Sequence, residues 1–251
     1  MKTSIITATY NSALTITDCI NSVNNQSYKN IEHIIIDGAS KDDTVNKIKS
    51  QPGRVSILLS EPDQGMYNAM NKGIHLSTGK IIAILNSDDI FFDNTVIEKV
   101  VTVFNETNAD CVFGDLVYVD KTDSKKIVRS WKTNNYSSGG FNKGWHPAHP
   151  SFFLKKEIYE RYGAFNLSFK LAADFELMLR MLEKNRISSV YLPIPLVKMR
   201  LGGISNKNIL NILYQNLECY KAFKTNNLKV DLTYPFYRLI PKLKQYSLYA
   251  R

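Results

Sequence analysis

The stretch Asn86-Ser87-Asp88-Asp89 sets two carboxylates side by side directly after an apolar, β-branched run at residues 81–85. Adjacent aspartates repel each other and are poor strand formers, so they mark where a strand stops. One Asp or Asn would satisfy a turn. Two hard oxygen donors suit a small divalent cation, which binds one or two protein carboxylates and takes its remaining ligands from phosphate oxygens and water. Something cationic is therefore expected at that point of the chain. Other polar residues close neighbouring apolar runs in the same way: Thr9-Tyr10-Asn11, Asp37-Gly38, Glu61-Pro62-Asp63 and Gly114-Asp115.

The elements that would place these residues together alternate cleanly. Strand patterns at 3–8, 31–37, 54–60, 80–85 and 110–115 are separated by helical patterns at 12–26, 42–50, 65–77 and 94–106. Such alternation predicts a mostly parallel α/β sheet with helices on both faces, whose ligands sit beyond the carboxyl ends of the strands. Acidic residues stand at four of those five ends. Neither GxGxxG nor GxxxxGK[ST] occurs, so no glycine-rich phosphate cradle is signalled. From 121 to 144 the pattern loosens into a polar, glycine-containing segment expected to be mobile. An amphipathic helix follows at 171–184, then a short strand at 188–192, and a helical extension beyond Gly202-Gly203.

At 251 residues the chain can bury a full core, and 44% apolar with 22% charged residues is ordinary for a soluble protein. Cys19, Cys111 and Cys219 are far apart and lack metal-ligand spacing, which reads as free thiols in a reducing cytoplasm. The start has no basic-then-apolar leader, and no apolar run approaches the roughly 18–20 residues of a membrane helix. The net charge of +9 is concentrated at one end: residues 1–195 carry 22 basic and 21 acidic side chains, residues 196–251 carry 10 and 2. That asymmetry fits an anionic membrane or a nucleic acid.

Blander readings stand beside the chemical ones. Asp88-Asp89 could cap the next helix, and Asp37-Gly38 has turn composition. Asp174, near the start of its helix, reads first as a cap or dipole partner; on a face shared with Met178 and Met181 its carboxyl would be partly desolvated and its pKa raised. Glu176 points elsewhere on the helix and is the second choice for a base. His146 and His149 lack a third soft ligand, which argues against zinc, while His149 is a contact for diphosphate or acceptor. Asn71 and Lys72 lie at the surface or reach toward a ligand, and Met66, Met70 and Ile74 form a core stripe.

Together ITATYN, IDGASKDDT, EPDQGMYNAMNKGIHLSTGKII, LNSDD, GD at 114–115, HPSFF and LAADFELMLR resemble a bacterial family 2 glycosyltransferase of the GT-A fold, of the surface-polysaccharide type. The resemblance covers residues 1–205. It implies an inverting hexosyltransferase that uses a nucleotide-sugar donor, in the first place a UDP-sugar, with Mn²⁺ or Mg²⁺. Asp37 would read the base, with Thr9, Tyr10 and Asp63 around the nucleotide. Asp88 and Asp89 would hold the metal, Asp88 also reaching the donor, and Asp174 would be the catalytic base. Asn86 departs from the family pattern, where the first position of the metal motif is Asp, leaving Asp88 as lead ligand.

The expected layout is a catalytic domain at 1–205, divided into a nucleotide-sugar half (1–115) and an acceptor half (116–205), followed by a basic, aromatic helical tail at 206–251. The acceptor would be a glycan on polyprenyl diphosphate. The enzyme would be cytoplasmic and peripheral on the inner membrane face, held by tail tyrosines and lysines on anionic lipid, with no nucleic acid partner. The rival functions are a nucleotidyltransferase, disfavoured because ITATYNSALT is not a glycine-rich basic loop, and a basic adaptor without catalysis.

Overall fold

The computed structural model describes residues 1–202, 209–231, 233 and 234. In chain order the elements are β1 (Thr3–Thr9), α1 (Ile16–Asn24), β2 (Ile31–Asp37), α2 (Thr44–Ser50), β3 (Val55–Ser60), α3 (Met66–Leu76), β4 (Ile81–Ile84), β5 (Ile90–Phe91), α4 (Val96–Thr107), β6 (Cys111–Val119), β7 (Ile127–Trp131), β8 (Phe152–Lys155), α5 (Lys156–Tyr162), α6 (Ala173–Leu179), β9 (Ser189–Arg200) and α7 (Ile209–Thr225). Among the described residues one sheet runs β3-β2-β1-β4-β8-β6-β9-β5, with β7 on the side of β6.

β1, β2 and β4 are buried along nearly their whole length and pair in parallel. Continuous burial explains why their sequences are apolar runs instead of alternating patterns. The parallel order extends to β3 and, separately, to the β6–β9 pair, whereas β8 enters antiparallel between β4 and β6. The α/β architecture with helices around the sheet is as expected, and the antiparallel strands are confined to its second half. Three apolar clusters line the sheet among the described residues; one holds Ile6, Ile34, Met70, Phe113, Phe152 and Leu177, the second Ile5, Ala83, Val100 and Phe153, and a smaller third Ile16, Ile20, Ile35 and Ile48.

Three expectations change. The loose segment 121–144 contains β7, paired antiparallel to β6 from Leu116↔Trp131 to Val119↔Ile127. The short strand at 188–192 is the first part of β9, which runs to Arg200 although Pro193 and Pro195 lie inside it. The register jumps from Gly114↔Leu192 to Asp115↔Pro195, so the proline-containing stretch bulges and needs fewer ladder bonds. A Cβ on Gly114 would lie 2.6 Å from Leu196 Cδ1 and 2.9 Å from the Ile194 carbonyl, so the bulge presses on a position only glycine fills. The helix expected over 171–184 is α6 followed by a wider π-type turn at Arg180–Lys184.

α7 packs on α6. Cys219, Ala222, Phe223 and Tyr234 are buried in the first cluster, so these two tail aromatics belong to the core and not to a lipid-facing surface. Tyr214 and Tyr220 stay at the surface; Phe236, Tyr237, Tyr246 and Tyr249 lie outside the described residues. Of the methionine stripe, Met70 and Ile74 are core and Met66 is exposed at the start of α3.

His33 is wholly buried on β2, with Nε2 against the Thr7 hydroxyl at 2.9 Å. Burial pushes its pKa down to about 3 from an ordinary 6.5. The unfolded chain therefore binds the extra proton between those values, and this contribution to stability is lost as pH falls from 6.5 toward 3. His33→Gln should flatten the fall in Tm between pH 7 and pH 4.5 relative to the parent chain; parallel Tm–pH curves would exclude His33 as a source of acid sensitivity.

Candidate active site

The loops that follow β1 and β2 are tied to each other by main-chain donors. Asn11 N–H donates to Ser40 Oγ at 2.8 Å, Lys41 N–H to Asn11 Oδ1 at 2.9 Å, and Ser12 N–H to Thr44 Oγ1 at 2.7 Å. Ser12 Oγ then meets Ser87 Oγ at 2.8 Å, which brings the β4 loop to the same joint. Tyr10 stands out from it at 58% exposure, an aromatic face open to stacking. Thr9 is buried with its hydroxyl unpartnered.

Asp37 closes β2 and is fully buried. Its Oδ2 accepts from Ser40 N–H at 3.0 Å and the Ser60 hydroxyl at 2.6 Å, and its Oδ1 accepts from the Ser40 hydroxyl. Asp63 lies directly over Gly38: a Cβ there would fall 2.6 Å from Asp63 Oδ2. The hydrogen bond that Asp63 accepts, from Gly65 N–H at 2.8 Å, goes to Oδ1. Asp37 is thus saturated by its own loops, while Asp63 occupies the slot that the missing side chain of Gly38 leaves open.

At the end of β4, Asp88 is half-buried and Asp89 is buried. Asp89 Oδ2 accepts from the Asn86 side-chain amide at 3.0 Å, but Asp89 Oδ1 and Asn86 Oδ1 are buried without partners. Burial raises the Asp89 carboxyl well above the usual range, with the Asp88 charge adding to it; burial also raises Asp88. The Arg200 charge opposes both shifts, although its guanidinium is paired with Asp18, and the Asn86 hydrogen bond also lowers Asp89. Two adjacent carboxyls with two orphaned oxygens fit a divalent ion. Among the described residues no group of three or more His, Cys, Asp or Glu is placed to hold a metal.

Asp174 sits in the first turn of α6, and its Oδ1 accepts from the Tyr67 hydroxyl at 3.2 Å. Tyr67 stacks on Phe165 at 5.4 Å, and His149 meets the same ring edge-on at 5.5 Å. Burial pushes the His149 pKa down while the Asp174 charge pulls it up. Burial lifts the Tyr67 phenol well above its ordinary value, so it remains a donor. Tyr67 is the second residue of α3, the helix that Asp63 leads into. One short segment therefore joins the Asp63 loop to Asp174.

Asp174 Oδ1 also accepts from the Phe175 N–H at 2.8 Å in the first turn of α6, while the turn just ahead of the helix is held by another residue. Glu218 of α7, itself buried, accepts from the N–H groups of Lys170, Leu171 and Ala172 at 2.7, 2.7 and 2.9 Å. Glu176 is held by Arg180 Nε at 2.9 Å and by the Asn226 amide at 3.0 Å, which ties it into a structural ion pair. Asn71 clamps Phe165 through its main chain, and Lys72 pairs with Glu61 at 2.6 Å. Tyr67 and Glu218 are the two residues here that sequence reasoning passed over.

This arrangement is that of a GT-A fold glycosyltransferase. The structure superposes on the crystal structure of Staphylococcus aureus TarS 1–349 in complex with UDP with a TM-score of 0.69 at 16% identity, covering 94% of this chain and 68% of that one. It matches the Pyrobaculum calidifontis mannosyltransferase PcManGT, solved with GDP-Man and Mn²⁺, with a TM-score of 0.66 at 17% identity, covering 99% and 75%. The model of the family described as Glycosyl transferase family 2 matches residues 4–163, and the chain belongs to that family. Among curated relatives, a PGL/p-HBAD biosynthesis glycosyltransferase of Mycobacterium tuberculosis is 27% identical over 81% of this chain and 78% of its own length. An uncharacterized glycosyltransferase of the same species is 31% identical over 70% and 67%. The protein is accordingly a glycosyltransferase, and the nucleotidyltransferase and adaptor alternatives fall.

Proposed function

We propose that the enzyme transfers a sugar from a nucleoside diphosphate, in the first place UDP, to a hydroxyl of a lipid-linked glycan, with inversion at the anomeric carbon. The observation that carries this reading is the adjacent pair of half-buried Asp88 and buried Asp89 at the end of β4, with Asp89 Oδ1 and Asn86 Oδ1 left without hydrogen-bond partners. Asp88 and Asp89, with Asn86, would hold Mn²⁺ or Mg²⁺, which when bound neutralises the departing diphosphate.

The chain's own residues supply the rest. Tyr10 offers its ring to the base, and Thr9 its unpaired hydroxyl to the nucleoside. Asp63, presented over Gly38, is better placed than the saturated Asp37 to accept from a base N–H; Asp37 shapes the loop beneath it. Asp174 takes the proton of the acceptor hydroxyl as that oxygen attacks the anomeric carbon. Tyr67 fixes which carboxylate oxygen faces the acceptor by donating to the other. Direct displacement with one base and no covalent intermediate inverts the configuration. The donor half would occupy residues 1–115 and the acceptor half 116–205, with the reaction at the cytoplasmic face of the membrane where a polyprenyl-linked acceptor is presented.

Calorimetric titration with UDP in the presence of Mn²⁺, followed by a transfer screen over nucleotide sugars, tests the reading; no heat with any uridine, guanosine or thymidine diphosphate would end it. The assignment within the pocket has its own test. Asp63→Asn should weaken UDP by about tenfold, the loss of one hydrogen bond to a charged group, with Tm nearly unchanged. Asp37→Asn should chiefly lower Tm. The reverse pattern would return the base contact to Asp37.

A further inference from the structure

α7 has two unlike faces. Its inner side carries Glu218, Cys219, Ala222 and Phe223, all buried against the body. Its outer side carries Leu210, Leu213, Tyr214 and Leu217 at 74%, 55%, 45% and 69% exposure. The spacing of three, four and seven residues puts these four on one stripe of helix surface. Single exposed leucines are normal, but a contiguous row of them marks a contact surface. One turn further on, the exposed Lys221 and Lys224 continue the helix.

We propose that this face of α7 is a docking surface for an anionic lipid bilayer, on which the helix lies flat. Charge complementarity selects this occupant. Residues 196–251 hold ten basic side chains against two acidic ones, and one of the two, Glu218, is buried and taken up by three main-chain amides, leaving Asp231 as the single exposed acid. An apolar stripe bordered by lysines matches the boundary between acyl chains and acidic headgroups, where leucines enter the hydrocarbon edge and each basic residue gains by its position. A second copy of the chain would bring the same positive charge against itself. No helix among the described residues is long and apolar enough to cross a membrane, so the contact is one of lying on the surface. The stripe is on the helix whose inner face holds the residues just before Asp174. The inference goes beyond the transfer reaction and stands on the helix surface and the charge of the sequence around it.

The test uses the full chain with vesicles of phosphatidylglycerol and, separately, of phosphatidylcholine. The parent chain should co-sediment with phosphatidylglycerol vesicles at low salt, be released as salt rises, and bind phosphatidylcholine weakly. Leu213→Glu combined with Leu217→Glu should weaken that binding at least about tenfold, as expected when two partly inserted leucines are replaced by repelled anions. Both positions are exposed, so Tm and UDP binding should be unaffected, which separates failure of this inference from failure of the donor assignment. In a second measurement, Tyr214→Trp should add emission that shifts to the blue on phosphatidylglycerol vesicles, read as a difference from the parent chain. Equal vesicle binding by the double variant, or a Tyr214→Trp emission that does not shift, would overturn the proposal. So would a concentration-dependent dimer that the double variant abolishes while the parent ignores vesicles.

Discussion

Asp174→Asn should lower the rate of sugar transfer by about 10²–10⁴-fold, the range that a positioned general base supplies, while UDP affinity and Tm stay close to the parent values. The stability half of this expectation comes from what asparagine keeps. An acidic residue at the start of a helix ordinarily serves the unpaired N–H groups there, and its removal costs about 0.5–2 kcal/mol. Here Asp174 Oδ1 accepts from the Phe175 N–H at 2.8 Å and from the Tyr67 hydroxyl at 3.2 Å, while Glu218 holds the three amides just ahead of the helix. The carbonyl oxygen of asparagine can accept both bonds, but it cannot take a proton. A variant that folds normally and keeps more than about a third of the parent rate would exclude Asp174 as the base, since even weak general base catalysis exceeds that factor. Tyr67→Phe should act more mildly on the rate and leave UDP binding alone.

The second large effect is expected at the β4 carboxylates. Stripping divalent ions with EDTA should reduce transfer by about 10²–10³-fold, corresponding to several kcal/mol of charge stabilisation, and Asp88→Asn should do much the same in excess metal. Asp89→Asn carries a further signature. In the metal-free protein Asp89 is buried, lies beside a like charge, and has an oxygen with no partner. Removing a buried acid that is only partly compensated, by the Asn86 amide and the Arg200 charge, should raise the Tm of the metal-free protein while the rate falls. Manganese should raise the Tm of the parent chain and not that of the Asp89→Asn variant. Full activity in excess EDTA would sink the metal assignment, and a lower Tm in metal-free Asp89→Asn would show that the carboxyl is compensated.

Strand ends were the legible part of this chain. The runs at β1, β2 and β4 are apolar because they are buried on both faces, and the polar residues that stop them are therefore visible in one dimension. β7 and the second half of β9 were hidden for physical reasons. β7 is an exposed edge strand with a polar surround, and β9 carries two prolines that a bulge in register absorbs. Asp63 and Asp37 were both readable as pocket residues, but their relative parts depend on which carboxylate Ser40 and Ser60 saturate. Glu218 had no local signal. Its three partners lie 46 to 48 residues earlier, and only the packing of α7 on α6 brings them together.

That long reach sets an order of events during synthesis. The family match ends at residue 163 and the loops after β1, β2 and β4 are complete by residue 89, well before α7 leaves the ribosome. Until Glu218 arrives, the amides of Lys170, Leu171 and Ala172 lack their acceptor. A nascent chain thus forms the strand that carries Asp88 and Asp89 before the turn ahead of Asp174 has its partner.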